Sequence, residues 1–105
     1  MSGKLLIFVV AYNHEKTIQN VLGRIPKALG QFEPEVLVID DASGDDTFEQ
    51  SRTVARNKEL PFKLTVLRNP VNQGYGGNQK IGFHYAMKKD FDVVALLHGD
   101  GQYAP

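Results

Sequence analysis

Four short apolar runs punctuate the chain: "KLLIFVV" (4–10), "EVLVID" (35–40), "KLTVL" (63–67) and "DVVALL" (92–97). Each is dense in Val, Ile and Leu without strict alternation, which predicts strands covered on both faces. The segments between them carry helical spacing. Ile18, Val21, Leu22 and Ile25 form one stripe, which Pro26 is expected to end. Phe48, Val54 and Ala55 mark a second helix, and "GNQKIGFHYAMKK" (77–89) a third, with Ile81, Tyr85 and Ala86 turned inward. Asn13 stands where an N-cap belongs, and Ser43 with Asp46 has the form of a capping box. Strand and helix alternate throughout, so the expected fold class is α/β, a mostly parallel sheet with flanking helices. Ligands of such sheets bind at the carboxyl ends of the strands, near a reversal of strand order.

Composition narrows the field. A chain of 105 residues supports one small domain, spanning 1–105. Its 12 basic and 12 acidic side chains cancel, so net charge points to neither nucleic acid nor an anionic membrane surface. No cysteine is present, which removes disulfides, thiolate metal sites and a cysteine nucleophile. The longest apolar run, "LLIFVVAY", is too short to cross a bilayer, and with only Lys4 before it and no small-residue cleavage site after it a signal peptide is not expected. The chain reads as cytoplasmic.

The strand ends hold the chemistry. After the first strand, Tyr12 offers a flat face and a hydroxyl, Asn13 an amide, and Glu15 a carboxylate that also suits a first helical turn. After the second, Asp40 and Asp41 are adjacent and point to opposite sides of an extended chain, so at least one faces the cleft. A carboxylate there accepts hydrogen bonds from a base N–H or a ribose hydroxyl, whereas Asp45 and Asp46 suit capping and solvating the next helix. The third turn, "RNPVNQGYGGNQKIG", has glycines at 74, 76 and 77, which let backbone approach a ligand, but Gln79 breaks a dinucleotide fingerprint and no Gly-Lys-Ser/Thr is present. The following helix N-terminus and Lys80 offer positive character to a diphosphate. The last strand ends in "HGDGQ", where His98, Asp100 and Gln102 share one face of an extended chain. Imidazole, carboxylate and carboxamide together suit a divalent cation that also binds phosphate. Each stretch taken singly also reads as an ordinary polar turn or cap.

Taken together and in order, "VVAYNHEKTI", "VIDDASGDDT", "NQGYGGNQKIG" and "LLHGDGQYAP" resemble the motifs of family-two glycosyltransferases of the GT-A fold, nearest to the dolichyl- and polyprenyl-phosphate sugar synthases. The resemblance covers almost the whole chain and implies a Rossmann-like sheet, a nucleotide-diphosphate sugar as donor and a divalent cation, Mn or Mg. Ala11, Tyr12 and Glu15 would then line the nucleotide pocket, with Asp40 or Asp41 on base or ribose. Asp100 would hold the metal, assisted by Gln102, with His98 as a further ligand. The resemblance also implies a polyprenyl phosphate or a glycan as acceptor, and a parent enzyme that would be membrane-associated at the cytoplasmic face.

Two departures from the family pattern stand out. Val10 replaces its proline before Tyr-Asn, and His98 replaces the first Asp of Asp-x-Asp. A neutral imidazole adds no charge and is softer than carboxylate, so weaker cation binding is expected, with manganese favoured over magnesium. In this family the catalytic base and acceptor site follow the metal motif, so the catalytic residue is expected beyond Pro105, and the chain is expected to be an inactive fragment. Missing sheet partners would expose an edge strand and favour self-association. Two readings compete. A signalling receiver domain requires an Asp after the third strand, where "LTVLRNP" offers Arg68 and Asn69. A non-catalytic nucleotide-binding or interaction module on the same fold tolerates His98 more readily.

Overall fold

Two aliphatic strands make the middle of the sheet. In the computed structural model, which describes residues 4–25, 34–57 and 62–99, β1 (Leu5–Ala11) is buried along its entire length, and β2 (Pro34–Asp40) is buried except at Glu35. β3 (Leu64–Arg68) and β4 (Val93–His98) flank them as partly exposed edges. The four strands run in the order β3-β2-β1-β4, and every pairing is parallel. The apolar runs mark all four strands, and coverage on both faces holds for the central pair.

Alternation along β1 divides the core in two. Leu5, Ile7, Val9 and Ala11 pack with Ile18, Val21 and Leu22 of α1 (Ile18–Gly23) and with Val54 of α2 (Thr47–Asn57). Leu6, Phe8 and Val10 face the opposite way, toward Ala86 of α3 (Gly74–Lys88). Full burial of aliphatic and aromatic side chains such as these contributes about 1.5–3 kcal/mol each. The layers therefore follow from the two-residue period of a buried strand.

The helix boundaries differ from the expected ones. α1 starts at Ile18 behind Thr17, because Asn13 adopts a left-handed backbone (φ 55°) and ties two loops together instead of capping. Its N–H donates to Ser43 Oγ (2.8 Å), and its Oδ1 accepts from the Gly44 N–H (3.0 Å). The Ser43–Asp46 capping box does not form. Asp45 does that work: its Oδ1 accepts from the Thr47 N–H (3.0 Å) and the Thr47 hydroxyl at the start of α2. α1 ends at Gly23, and Ile25 is buried just past it, while Pro26 lies outside the described residues. α3 begins at Gly74, so the glycine run forms its first turn instead of a loop before it. Its inward stripe is Asn78, Gly82 and Ala86, with Tyr85 half-buried, and Ile81 faces solvent. Gly82 occupies the crossing point, where an added Cβ would stand 2.0 Å from the Phe8 ring. The large apolar side chain at 81 therefore yields the sheet-facing position to a residue without one.

Candidate functional site

The order β3-β2-β1-β4 places β2 and β3 on one side of β1 and β4 on the other. The connections reverse direction there, opening a crevice between the carboxyl ends of β1 and β4. A cavity of about 300 Å³ occupies that position, with Ala11, Tyr12, His14, Asp41, Tyr75 and His98 on its walls. Val10 pairs with His98 and Ala11 with Asp40, so the ends of three strands reach one rim.

Asp41 is the carboxylate of this rim. It is buried, and its Oδ1 accepts from Asn69 Nδ2 (2.8 Å) and from the Gln73 N–H (2.7 Å). Asn69 Nδ2 also donates to Asn78 Oδ1 (3.0 Å), and Asn78 Nδ2 to the Ile39 carbonyl (3.3 Å). Asn72 Nδ2 donates to the Asp41 carbonyl (3.0 Å). Three asparagines around the glycine run thus tie the end of β2 to the segment after β3 and to α3, Asn69 through the Asp41 carboxylate and Asn72 and Asn78 through backbone carbonyls of β2 and the residue after it. Asp40 points away from the cavity. Its carboxylate is fully buried, accepts from the Ser43 hydroxyl and N–H, and lies 3.5 Å from Arg68 Nε.

Tyr12 is half-exposed on the near wall. On the far wall the Tyr75 ring stacks on His98, and its hydroxyl meets His98 Nε2. His14 lines the same cavity. Its Nδ1 accepts from the Tyr12 N–H (3.3 Å), and its own N–H donates to Thr47 Oγ1 (2.8 Å). A Cβ on Gly99 would lie 2.4 Å from His14 Nδ1, so the imidazole rests directly against the Gly99 backbone. Thr17 Oγ1 donates to the Gly99 carbonyl (2.8 Å), and the Gly99 N–H to the Val10 carbonyl (2.9 Å). The turn after β4 is thereby held against the end of β1.

Glu15 belongs to a second, adjoining cavity of about 210 Å³, which shares His14 as a wall and also includes Asp45. Glu15 Oε2 accepts from the Asp46 N–H (3.3 Å). Burial acts to raise the Asp45 pKa, but hydrogen bonds from the Thr47 hydroxyl, the Thr47 N–H and the Glu15 N–H outweigh it, and the carboxyl titrates below its ordinary 3.8. Lys80 is exposed on α3 and lines neither cavity. Of the expected metal ligands His98 is described, whereas Asp100 and Gln102 lie outside the described residues. Among the described residues no three His, Asp or Glu side chains cluster as a metal site, and no helix is long and apolar enough to cross a membrane.

Sequence reading selected Ala11, Tyr12, Asp41 and His98, which the fold brings together. His14, Tyr75 and the asparagines at 69, 72 and 78 join them only in the fold. The density of Asn around the glycines is the signal for the asparagines, and His14 directly follows Tyr12 and Asn13 in the loop after β1.

Residues 6–105 match the family described as Glycosyl transferase family 2. The chain belongs to this family. Its curated relatives include an undecaprenyl-phosphate mannosyltransferase of Micrococcus luteus, 32% identical over 102 residues, an alignment that covers 97% of this chain and 40% of that protein. The chain therefore spans well under half the length of this family 2 relative. Among solved structures, a mannosyltransferase from Pyrobaculum calidifontis in complex with GDP-Man and Mn2+ superposes with a TM-score of 0.77 at 21% identity, covering 95% of this chain and 28% of that one. TarS of S. aureus in complex with UDP-GlcNAc superposes with a TM-score of 0.62 at 26% identity, covering 92% of this chain and 26% of its own. The expected parallel, Rossmann-like sheet of GT-A type is thus the observed fold of this family 2 chain.

Proposed function

We propose that the cavity at the strand-order reversal holds the nucleotide diphosphate of an activated sugar, and that the chain is the donor-binding part of a glycosyltransferase. One observation carries this reading: in a family 2 chain, Tyr12 and Asp41 converge on a cavity where parallel sheets bind nucleotides. TarS, solved with UDP-GlcNAc, supports it. Ala11 and Tyr12 contact the nucleotide, and Asp41 accepts from base or ribose. Asp40 shapes the loop from behind through Ser43 and Arg68, and Glu15 acts through the adjoining cavity. The name of the Micrococcus relative, an undecaprenyl-phosphate mannosyltransferase, supports a polyprenyl phosphate as the acceptor and with it a reaction at a membrane surface.

A divalent cation belongs to the same reading. Imidazole, carboxylate and carboxamide at His98, Asp100 and Gln102 form a donor set that fits such an ion, Mn2+ better than Mg2+. A cation held by these residues would supply positive charge against the diphosphate leaving group. Isothermal titration of UDP and GDP, each with and without Mn2+, tests the assignment against Asp100→Ala. Metal-dependent binding that disappears in the variant supports it. Binding indifferent to metal would favour instead a non-catalytic nucleotide-binding module, a reading to which the engagement of His98 by Tyr75 lends weight. Binding of neither nucleotide would overturn both.

A further inference from the structure

His14 has no part in the readings above, yet it lines the cavity and forms its shared wall with the adjoining one. Two contacts orient the ring. The Tyr12 N–H donates to Nδ1, so Nδ1 is the acceptor nitrogen and the neutral imidazole carries its proton on Nε2. The Gly99 backbone packs against the Nδ1, Cγ and Cβ side, which leaves the opposite edge, with Nε2–H, as the edge free of these contacts. The loop carrying it is itself fixed, by the His14 N–H to Thr47 Oγ1 and by Thr17 Oγ1 to the Gly99 carbonyl. A hydrogen-bond donor is therefore presented on a rigid support.

The cavity is also polarised. Its carboxylate, Asp41, follows β2, whereas its imidazoles, His14 and His98, stand at β1 and β4. Neighbouring strands lie about 4.8 Å apart, so His14 and His98 follow strands one and two spacings from the β2 end that carries Asp41. Like charge keeps phosphate away from Asp41, and a carboxylate accepts well from base N–H and ribose hydroxyl groups. The anionic end of the ligand is then directed toward the imidazoles.

We propose that His14 recognises the diphosphate of the donor, its Nε2–H donating to a phosphate oxygen. This rests on the nucleotide reading of the cavity, and the experiment separates the two. Uridine and UDP are titrated against the unsubstituted protein, against His14→Phe, which keeps a flat ring without a donor, and against His14→Gln, which restores an N–H. The expected result is about a tenfold loss of UDP affinity in His14→Phe, uridine binding unchanged, and recovery to within a few-fold in His14→Gln. Equal losses for uridine and UDP in His14→Phe, or no loss, overturn the assignment. Should His14→Phe fail to fold, 15N NMR of the unsubstituted protein decides. The His14 Nε2 resonance moves on addition of UDP and not of uridine if the proposal holds, and responds alike to both, or to neither, if it does not. Failure of the unsubstituted protein to bind UDP or GDP overturns the nucleotide reading, and the role of His14 with it.

Discussion

The Tyr75 ring lies flat on the His98 imidazole, with centroids 5.2 Å apart, planes inclined by 12°, and the tyrosine hydroxyl 3.3 Å from Nε2. Tyr75 belongs to the first turn of α3 and His98 ends β4, so this pair closes the cavity between a helix and the edge of the sheet. It also occupies a nitrogen that a cation at His98 would use.

Substituting Tyr75 separates the two contributions. Tyr75→Phe keeps the stack and loses the hydrogen bond, at a stability cost of under about 1 kcal/mol because Tyr75 is half-exposed. Mn2+ affinity in calorimetric titration is expected to rise in this variant, since Nε2 is released. Tyr75→Ala removes the wall as well and is expected to weaken UDP binding by about tenfold. Unchanged Mn2+ affinity in Tyr75→Phe would show that the hydroxyl does not compete for His98.

Asp41 is expected to combine structural and binding roles. Asp41→Ala leaves the Gln73 N–H and one proton of the Asn69 amide without their acceptor, costing about 1–3 kcal/mol in urea unfolding and abolishing nucleotide binding. Asn69→Ala removes a donor to the same carboxylate and is expected to cost stability while retaining most of the nucleotide affinity. If both substitutions reduced affinity equally, Asp41 would act through the shape of the loop alone.

Gly82→Ala probes the packing of α3 on the sheet. The added methyl meets the Phe8 ring in a fully buried position, so overpacking by about 1–3 kcal/mol is expected. Phe8→Leu combined with Gly82→Ala is expected to recover part of that loss, because a smaller side chain admits the methyl. Thermal unfolding of the four proteins in the cycle measures the coupling.

The lowered pKa of Asp45 carries a definite sign. Burial acts to raise it, but the Thr47 and Glu15 hydrogen bonds favour the ionised form, so the folded state binds the proton less readily than the unfolded state. The resulting stability is present above the ordinary Asp range, near about pH 4, and is lost as pH falls through the lower folded value. Asp45→Ala is expected to flatten the acid limb of stability against pH and leave the slope above pH about 6 unchanged. An acid limb identical in the two proteins would remove Asp45 from this role.

Strand positions were legible because short runs of Val, Ile and Leu bounded by polar turns favour strands, most fully in the central pair, which is buried on both faces. The pairing of Ala11 with Asp40 and of Val10 with His98 was not legible in the same way, since register depends on partners distant in sequence. Local capping rules misplaced Asn13 and Ser43 for a related reason: both spend their polar groups on each other's loop, 30 residues away, instead of on the nearest helix. Hydrophobicity points Ile81 inward, whereas the sheet approaches α3 so closely at Phe8 that Gly82 takes the contact.

By itself, then, the sequence determined the α/β class, the four strands, the convergence of polar residues at strand ends and the family to which they belong, because each is written in local composition and order. Tertiary structure decided which carboxylate faces the cavity, that Tyr75 covers His98, and that His14 is held between Tyr12 and Gly99. Those outcomes depend on the direction of individual side chains across the reversal in strand order, which is set by packing between segments that the chain separates by tens of residues.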